Sequence, residues 1–174
     1  MQPITLKMVM KGTVPSKKNN QIIKTTKTGK TYVTASAAYK AWYKVHYQKV
    51  VDWLYEKTLL HPELEVPITQ KIKFKVLFYF GDDRDRDLSN KIETLQDLLK
   101  DAGVIYDDSY RILSLESDGK YTKGNTRTEI YFTIKTWKND PELLALYERR
   151  RLIREERHRK KLASMRFDLG DVLE

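Results

Sequence analysis

Carboxylates are concentrated in the middle of the chain, on both sides of one predicted helix. Asp87 precedes this helix, Glu93 lies on its polar face, and the pair Asp107–Asp108 follows the glycine that ends it, Gly103. Because the glycine turns the chain back toward the next strand, we expect Asp87 and the aspartate pair to meet at one edge of a sheet. Clustered oxygen donors suit Mg²⁺ or Mn²⁺, and such an ion activates water against a phosphodiester. The pattern therefore predicts a metal-assisted phosphodiester site, although either acidic motif alone also suits a charged turn.

A long polar segment near the N-terminus supplies groups that would hold a polyanion. It runs from residue 14 to 31, and its proline, asparagines and glycine predict a loop or a loose hairpin. Lysine and amide side chains contact phosphates but read bases poorly, so we expect salt-dependent binding with little sequence preference. Asn19 and Asn20 equally suit turn positions with positive φ. The candidate nucleic-acid-binding residues are Lys17, Lys18, Asn19, Asn20, Lys24, Lys27 and Lys30.

The charge of the chain is unevenly distributed. The 174 residues carry a net charge of +9. Residues 1–51 contain ten lysines and no acid, residues 149–161 contain eight basic and two acidic residues, and residues 82–118 contain eleven acids against five basic residues. Two basic regions around an acidic one predict phosphate-binding surfaces beside a cation site.

Composition also excludes several classes of protein. The chain has no cysteine, which excludes disulfides, thiolate-bound zinc, iron–sulfur clusters and a thiol nucleophile. No apolar run reaches the length of a membrane span, and the N-terminus does not read as a signal peptide. We therefore expect a cytoplasmic protein without a membrane partner.

Periodicity predicts the elements that position these residues. Alternating apolar residues indicate strands, and a 3.6-residue repeat indicates helices. The order predicts an α+β fold: a single domain over residues 1–138, in which two helices pack on a small mixed sheet, with a basic C-terminal helical extension over residues 139–174. For that last helix we keep three interpretations open, namely a DNA-contacting helix, a dimer arm or a solvated helix. The predicted strands are 3–12, 68–80, 109–118 and 127–137, and the predicted helices are 36–60, 90–102 and the one that Asp140 and Pro141 begin.

Two motifs resemble one known family. PSKKNN at residues 15–20 and RDLSNKIETLQDLLKDAGVIYDDSYRI at residues 86–112 look like those of the RusA-type crossover junction endodeoxyribonucleases, many of which phages and prophages encode. The resemblance implies the RusA-like fold and a homodimeric, Mg²⁺-dependent enzyme that resolves four-way (Holliday) DNA junctions by paired nicking. That activity implies recombination and repair in a bacterial or phage-infected cell. The resemblance assigns catalytic and metal-binding carboxylates to Asp87 and Asp108, with Asp107 beside Asp108.

The chain departs from the family pattern at two positions. Ser89 stands where an acid is usual, and Glu93 stands where a lysine is usual. We hypothesise that Glu93 supplies the missing metal ligand and that Lys91 supplies the missing cation, which would stabilise the charge at phosphorus. Two other readings are an impaired branched-DNA-binding protein that cuts nothing and an RNA-binding protein.

Overall fold

The computed structural model describes residues 3–84, 86–109 and 111–170. In the last helix it describes the side chains up to Arg157 and the side chain of Arg159. The chain forms two compact units, Met1–Asn139 and Asp140–Glu174. No helix in the described ranges is both long and apolar enough to cross a membrane. The elements in chain order are β1 (Ile4–Lys11), β2 (Gln21–Thr25), β3 (Thr31–Ala35), α1 (Ala37–Leu60), β4 (Ile72–Phe80), α2 (Ser89–Asp101), β5 (Leu113–Tyr121), β6 (Arg127–Ile134) and α3 (Pro141–Gly170).

One mixed sheet forms the centre of the first unit. Its strand order is β1-β6-β4-β5. Strand β4 pairs antiparallel with β6 and parallel with β5, and β1 pairs antiparallel with β6. The α+β prediction with a small mixed sheet and a C-terminal helix is therefore confirmed. The segment predicted as a loop or loose hairpin contains a regular two-stranded ribbon, β2–β3.

The core follows from the alternation predicted for β4. Phe74, Val76 and Phe78 are buried on one face of the strand, because successive side chains of a strand point to opposite faces. The apolar stripe of α2, which includes Leu95 and Leu99, is buried as well. Burial of each such side chain contributes about 1.5–3 kcal/mol, so β4 and α2 form a rigid base for the segments that connect them.

Helix α1 is capped as its sequence predicts but is mostly exposed. The Ser36 hydroxyl accepts a hydrogen bond from the backbone N–H of Tyr39 at 3.2 Å, which satisfies one free donor of the first turn. Its buried residues among those described are Tyr39, His46 and Val50. The His46 ring stacks on Trp42, with 4.3 Å between the ring centroids, so this histidine serves packing.

Candidate active site

Asp87 lies between β4 and α2 and forms hydrogen bonds with the first two residues of the helix. Its carboxylate accepts hydrogen bonds from the Ser89 hydroxyl, from the Ser89 backbone N–H at 2.9 Å and from the Asn90 side-chain amide. These bonds, the Ser89 hydroxyl first, lower the pKa of Asp87 and keep it ionised at neutral pH. Asp87 therefore supplies a hydrogen-bond acceptor for the first turn of α2.

The loop after β4 is organised by a second aspartate. The Asp82 carboxylate accepts hydrogen bonds from the guanidinium groups of Arg84 at 2.8 Å and Arg86 at 2.5 Å. These two partners hold the pKa of Asp82 well below its usual range. Arg86 also lies over the Phe80 ring, 4.9 Å from its centroid. Asp82 therefore shapes the loop, and its charge is already neutralised by arginines.

An open pocket lies against this loop. Its volume is about 400 Å³. It is bounded by the loop on one side and by the end of β5 on the other, so it combines arginine and aspartate side chains with aromatic rings. The residues that line it include Phe80, Asp82, Arg84, Arg86, Leu88, Asp118 and Tyr121.

Lys91 points into the protein near the Asp87 end of α2. The side chain is buried, and its ammonium donates to the backbone carbonyl of Val14 at 2.5 Å. Burial lowers the pKa of Lys91, the positive charge of Arg86 lowers it further, and the negative charge of Asp87 opposes the shift. Lys91 thus feels the charge of Asp87, while its hydrogen bond to Val14 holds the segment before the ribbon against α2.

Asp107 and Asp108 form a pair beyond the other end of α2. Gly103, with φ of 75°, ends the helix region. Burial raises the pKa of Asp107, and so does the adjacent Asp108. The Asp108 carboxylate lies 3.5 Å from the ammonium of Lys100, which is also 3.5 Å from Asp97. Asp107 and Asp108 therefore form a concentration of negative charge. Its cationic partner, Lys100, also interacts with Asp97 of α2.

The expectation that Asp87 and Asp108 meet at one edge of the sheet is wrong within one chain. Strands β4 and β5 are parallel. Helix α2 therefore carries the chain back to the end of the sheet where β4 begins, and β5 starts there. The bridge between Ile68 and Ile105 confirms this return. The 13 residues of α2 form a helix about 20 Å long, and the two carboxylate groups lie beyond its opposite ends. Within the described residues, no three acidic or histidine side chains gather as a metal site.

Two of the predicted DNA-contacting lysines are paired with α2. Lys17 forms an ion pair with Asp97 at 2.5 Å, and Lys18 forms one with Glu93 at 2.9 Å. Glu93, the hypothesised metal ligand, therefore already has a cationic partner. These pairs join the segment before the ribbon to the helix that lies between the candidate catalytic acids.

Asn19 and Asn20 belong to a single 3₁₀ turn, Lys18–Asn20. The Asn20 amide donates to the carbonyl of Ser16 at 2.8 Å, and the Asn19 backbone N–H donates to the Ser16 hydroxyl at 3.2 Å. Neither has a positive φ, because the described residues with positive φ are all glycines. Both asparagines thus lie in a turn, as the turn interpretation predicts, but their backbone is not in the left-handed region.

The ribbon β2–β3 presents the remaining predicted lysines. Lys24, Lys27 and Lys30 are exposed and form no ion pair with any described residue. Ile23 pairs with Val33 across the ribbon, and these side chains are 75% and 61% exposed. This exposed apolar surface was not predicted from the sequence. The adjacent apolar pairs Ile22–Ile23 and Tyr32–Val33 are the sequence feature that indicates it.

One comparison with known proteins gives a match. The family model described as endodeoxyribonuclease RusA matches residues 12–133. The match includes the ribbon, both groups of candidate acids and the helix between them, and it ends before α3 begins. A search of curated proteins finds no match.

Proposed function

The chain belongs to the RusA family of endodeoxyribonucleases, and from that premise we propose that it resolves four-way DNA junctions by paired nicking in recombination and repair. The observation that supports this proposal is the placement of the family's acidic motifs. Asp87 stands at one end of α2 and Asp107–Asp108 stands at the other. Both groups adjoin the central sheet, and an ionised carboxylate is present at the first of them at neutral pH.

The donor set of these two groups fits Mg²⁺, with Mn²⁺ as a substitute. Hard divalent cations take carboxylate oxygens, and Asp87, Asp107 and Asp108 would hold the ion. The raised pKa of Asp107 reflects negative charge that burial leaves poorly compensated, which a cation would relieve. When bound, such an ion polarises a phosphodiester and neutralises the leaving oxygen.

A homodimer would complete the site that one chain leaves incomplete. Asp87 and Asp108 are separated by the length of α2, so a shared ion requires Asp87 of one protomer and the partner's Asp108. A two-fold axis would generate two identical sites from such a pairing. A four-way junction also has two-fold symmetry, and each site would act on one of two equivalent strands.

The remaining residues have supporting roles in this proposal. Ser89 and Asn90 hold the Asp87 carboxylate ionised and oriented through their hydrogen bonds. Lys91 lies within the electrostatic influence of Asp87 and would offset negative charge that develops at the phosphate. Glu93 would join the ligand set only by releasing Lys18.

Mixed dimers test the shared site directly. Asp87→Asn and Asp108→Asn are prepared separately and then co-expressed with different tags, so that the heterodimer is purified. Each variant homodimer loses both sites, and we expect neither to nick a four-way junction with Mg²⁺. The heterodimer regains one intact site, because its unchanged Asp87 and Asp108 come from different chains. We therefore expect nicking of one strand only.

Two results of this experiment would contradict the proposal. Unchanged nicking by the Asp108→Asn homodimer would remove the catalytic assignment of Asp108. A heterodimer as inactive as its parents would place both carboxylates of a site in one chain. Asp52→Asn is the matched control, because Asp52 is an exposed acid of α1 that bonds to Gln48.

A second function, branched-DNA binding without cleavage, is favoured by the position of Ser89. Its hydroxyl donates to Asp87 where the family pattern has another acid. A serine contributes no negative charge to a cation site. In this case the protein would bind four-way DNA through its basic residues and leave it intact with any divalent cation.

A further inference from the structure

Helix α3 is a separate structural unit that the family match does not reach. It begins at Pro141, and the Asp140 carboxylate accepts hydrogen bonds from the backbone N–H groups of Glu142 at 3.0 Å and Leu143 at 3.1 Å. This capping satisfies the first free donors of the helix. The helix has 30 residues, which corresponds to a length of about 45 Å. The helix is long and well capped, and it lies outside residues 12–133, which the family model matches and which we call the family region. We therefore consider what function the helix itself has.

Three arginines form one stripe along the exposed part of α3. Arg150, Arg154 and Arg157 are spaced at i, i+4 and i+7, which places them within an arc of about 60° on the helix surface. All three are exposed. Arg151 is paired with Glu155 at 3.5 Å, whereas the three stripe arginines form no ion pair with any residue that the structure describes. Arg150 lies over the Tyr147 ring, 6.0 Å from its centroid, and no acidic side chain among the described residues neutralises the stripe.

Such a row is unfavourable without a partner. Like charges at i,i+4 destabilise a helix by a few tenths of a kcal/mol per pair, and residues 154–161 of α3 include no apolar residue that would gain stability from packing. An anionic partner with closely spaced charges would reverse the sign of this interaction. Duplex DNA offers one phosphate per about 3.4 Å along each strand.

Two other occupants fit this stripe less well. In a symmetric contact between two copies of α3, arginine would face arginine. The acidic segment of a second chain is also a poor match, since Asp82, Glu93 and Asp97 already have cationic partners. Charge complementarity therefore favours a polyanion from outside the protein.

We propose that the arginine stripe of α3, Arg150, Arg154 and Arg157, binds phosphates of the duplex arms of the DNA substrate. The choice of DNA over other polyanions rests on the proposed function. The stripe reads no sequence, because phosphate contacts position a protein without identifying bases. It adds affinity and salt dependence to the contacts made by the family region.

Salt-dependent binding of the full chain tests the stripe. The variant R150Q/R154Q/R157Q is compared with wild type for a short duplex and a four-way junction, in Ca²⁺ and over a range of salt. Each lost phosphate contact lowers the slope of log K against log salt by about 0.9, so we expect a decrease of about 2.7. Between about 50 and 200 mM salt, the wild type then loses about 40-fold more affinity than the variant. An unchanged slope overturns the proposal.

The matched controls are single changes on the same helix. Arg154→Gln removes an unpaired stripe arginine, and we expect its slope to fall by about 0.9. Arg151→Gln removes an arginine that is paired with Glu155 at 3.5 Å, and we expect a smaller change. Equal effects of both would show that net charge alone matters and would overturn the stripe. Far-ultraviolet circular dichroism confirms that helix content is retained.

Two further measurements separate this proposal from the proposed function. The nicking rate of the triple variant is expected to fall further below that of wild type as the salt concentration rises, because the stripe contributes binding and phosphate contacts weaken with salt. If wild type nicks nothing with Mg²⁺ but the salt slopes differ as predicted, the nuclease proposal fails and the stripe stands. Loss of affinity for structured RNA alone, with DNA binding unchanged, would overturn the DNA assignment.

Discussion

Glu129 is the most strongly stabilised carboxylate on the outer face of the sheet. It accepts hydrogen bonds from the Tyr131 hydroxyl at 2.6 Å and from Arg127 at 2.8 Å, and it pairs with Lys7 at 3.1 Å. These partners, Tyr131 first, lower the pKa of Glu129 to about 2. Because Lys7 belongs to β1 and the other residues belong to β6, the cluster joins an edge strand to the sheet.

We predict that Glu129→Gln lowers the free energy of unfolding by about 1–3 kcal/mol at neutral pH, since charge-assisted hydrogen bonds are lost. The folded pKa of about 2 lies below the usual 4.5. The stabilisation is therefore fully present above pH 4.5 and is lost as the pH falls through about 2. Denaturant unfolding from pH 7 down to the acid range measures the difference between variant and wild type.

Glu116→Gln is the control for this pH dependence. Glu116 pairs with Lys73 and Lys75 on the same face but is more exposed, so we expect a smaller loss of stability. A difference between Glu129→Gln and wild type that stays constant down to pH 2 would contradict the account of Glu129.

At the scale of elements, the basic N-terminal segment divides into two parts. Lys17 and Lys18 pair with acids of α2 and anchor the base of the ribbon β2–β3. Lys24, on the ribbon, carries an exposed charge without an ion pair to any described residue. The predicted DNA-contacting lysines therefore include anchors as well as free cations.

We predict different phenotypes for the two kinds of lysine. Lys24→Ala should reduce the salt slope of DNA binding by about 0.9 and leave the melting temperature unchanged. Lys17→Ala should lower the free energy of unfolding by about 0.5–1 kcal/mol, because it breaks the pair with Asp97. Its salt slope should change less than that of Lys24→Ala. Thermal unfolding and binding titrations check both, and a larger slope change for Lys17→Ala would contradict the anchor role.

At the scale of the whole molecule, DNA binding and cleavage depend on different charges. The net charge of +9 comes from lysines and arginines outside the acidic segment, and these act without a metal. The candidate catalytic acids lie at the two ends of α2 and would need a cation to approach a phosphate. Metal removal is therefore expected to separate the two activities.

We predict that the wild type binds a four-way junction equally in EDTA, Ca²⁺ and Mg²⁺ but nicks it only in Mg²⁺ or Mn²⁺. Gel shifts measure binding, and denaturing gels measure nicking. A linear duplex of the same length is the control for junction selectivity. Intact DNA in every metal would favour the binding protein over the nuclease.

Local features of the fold were predictable from the sequence because they depend on residues close together in the chain. The alternation of β4, the apolar stripe of α2, the glycine that ends α2 and the cap at Asp140 are all of this kind. Strand length and helix capping need only nearby side chains and backbone groups. The family motif could also be recognised, because it is a continuous run of residues.

The tertiary structure alone decided where the candidate acids lie relative to one another. In a strand–helix–strand unit, the direction of the second strand decides where it begins. If the two strands are parallel, the second strand begins at the end of the sheet where the first one began, whereas an antiparallel strand begins where the first one ended. The parallel pairing of β4 and β5 places Asp87 and Asp108 at opposite ends of α2. The sequence also did not predict that Lys17 and Lys18 pair with acids of α2. Such contacts join residues far apart in the chain, which local periodicity does not specify.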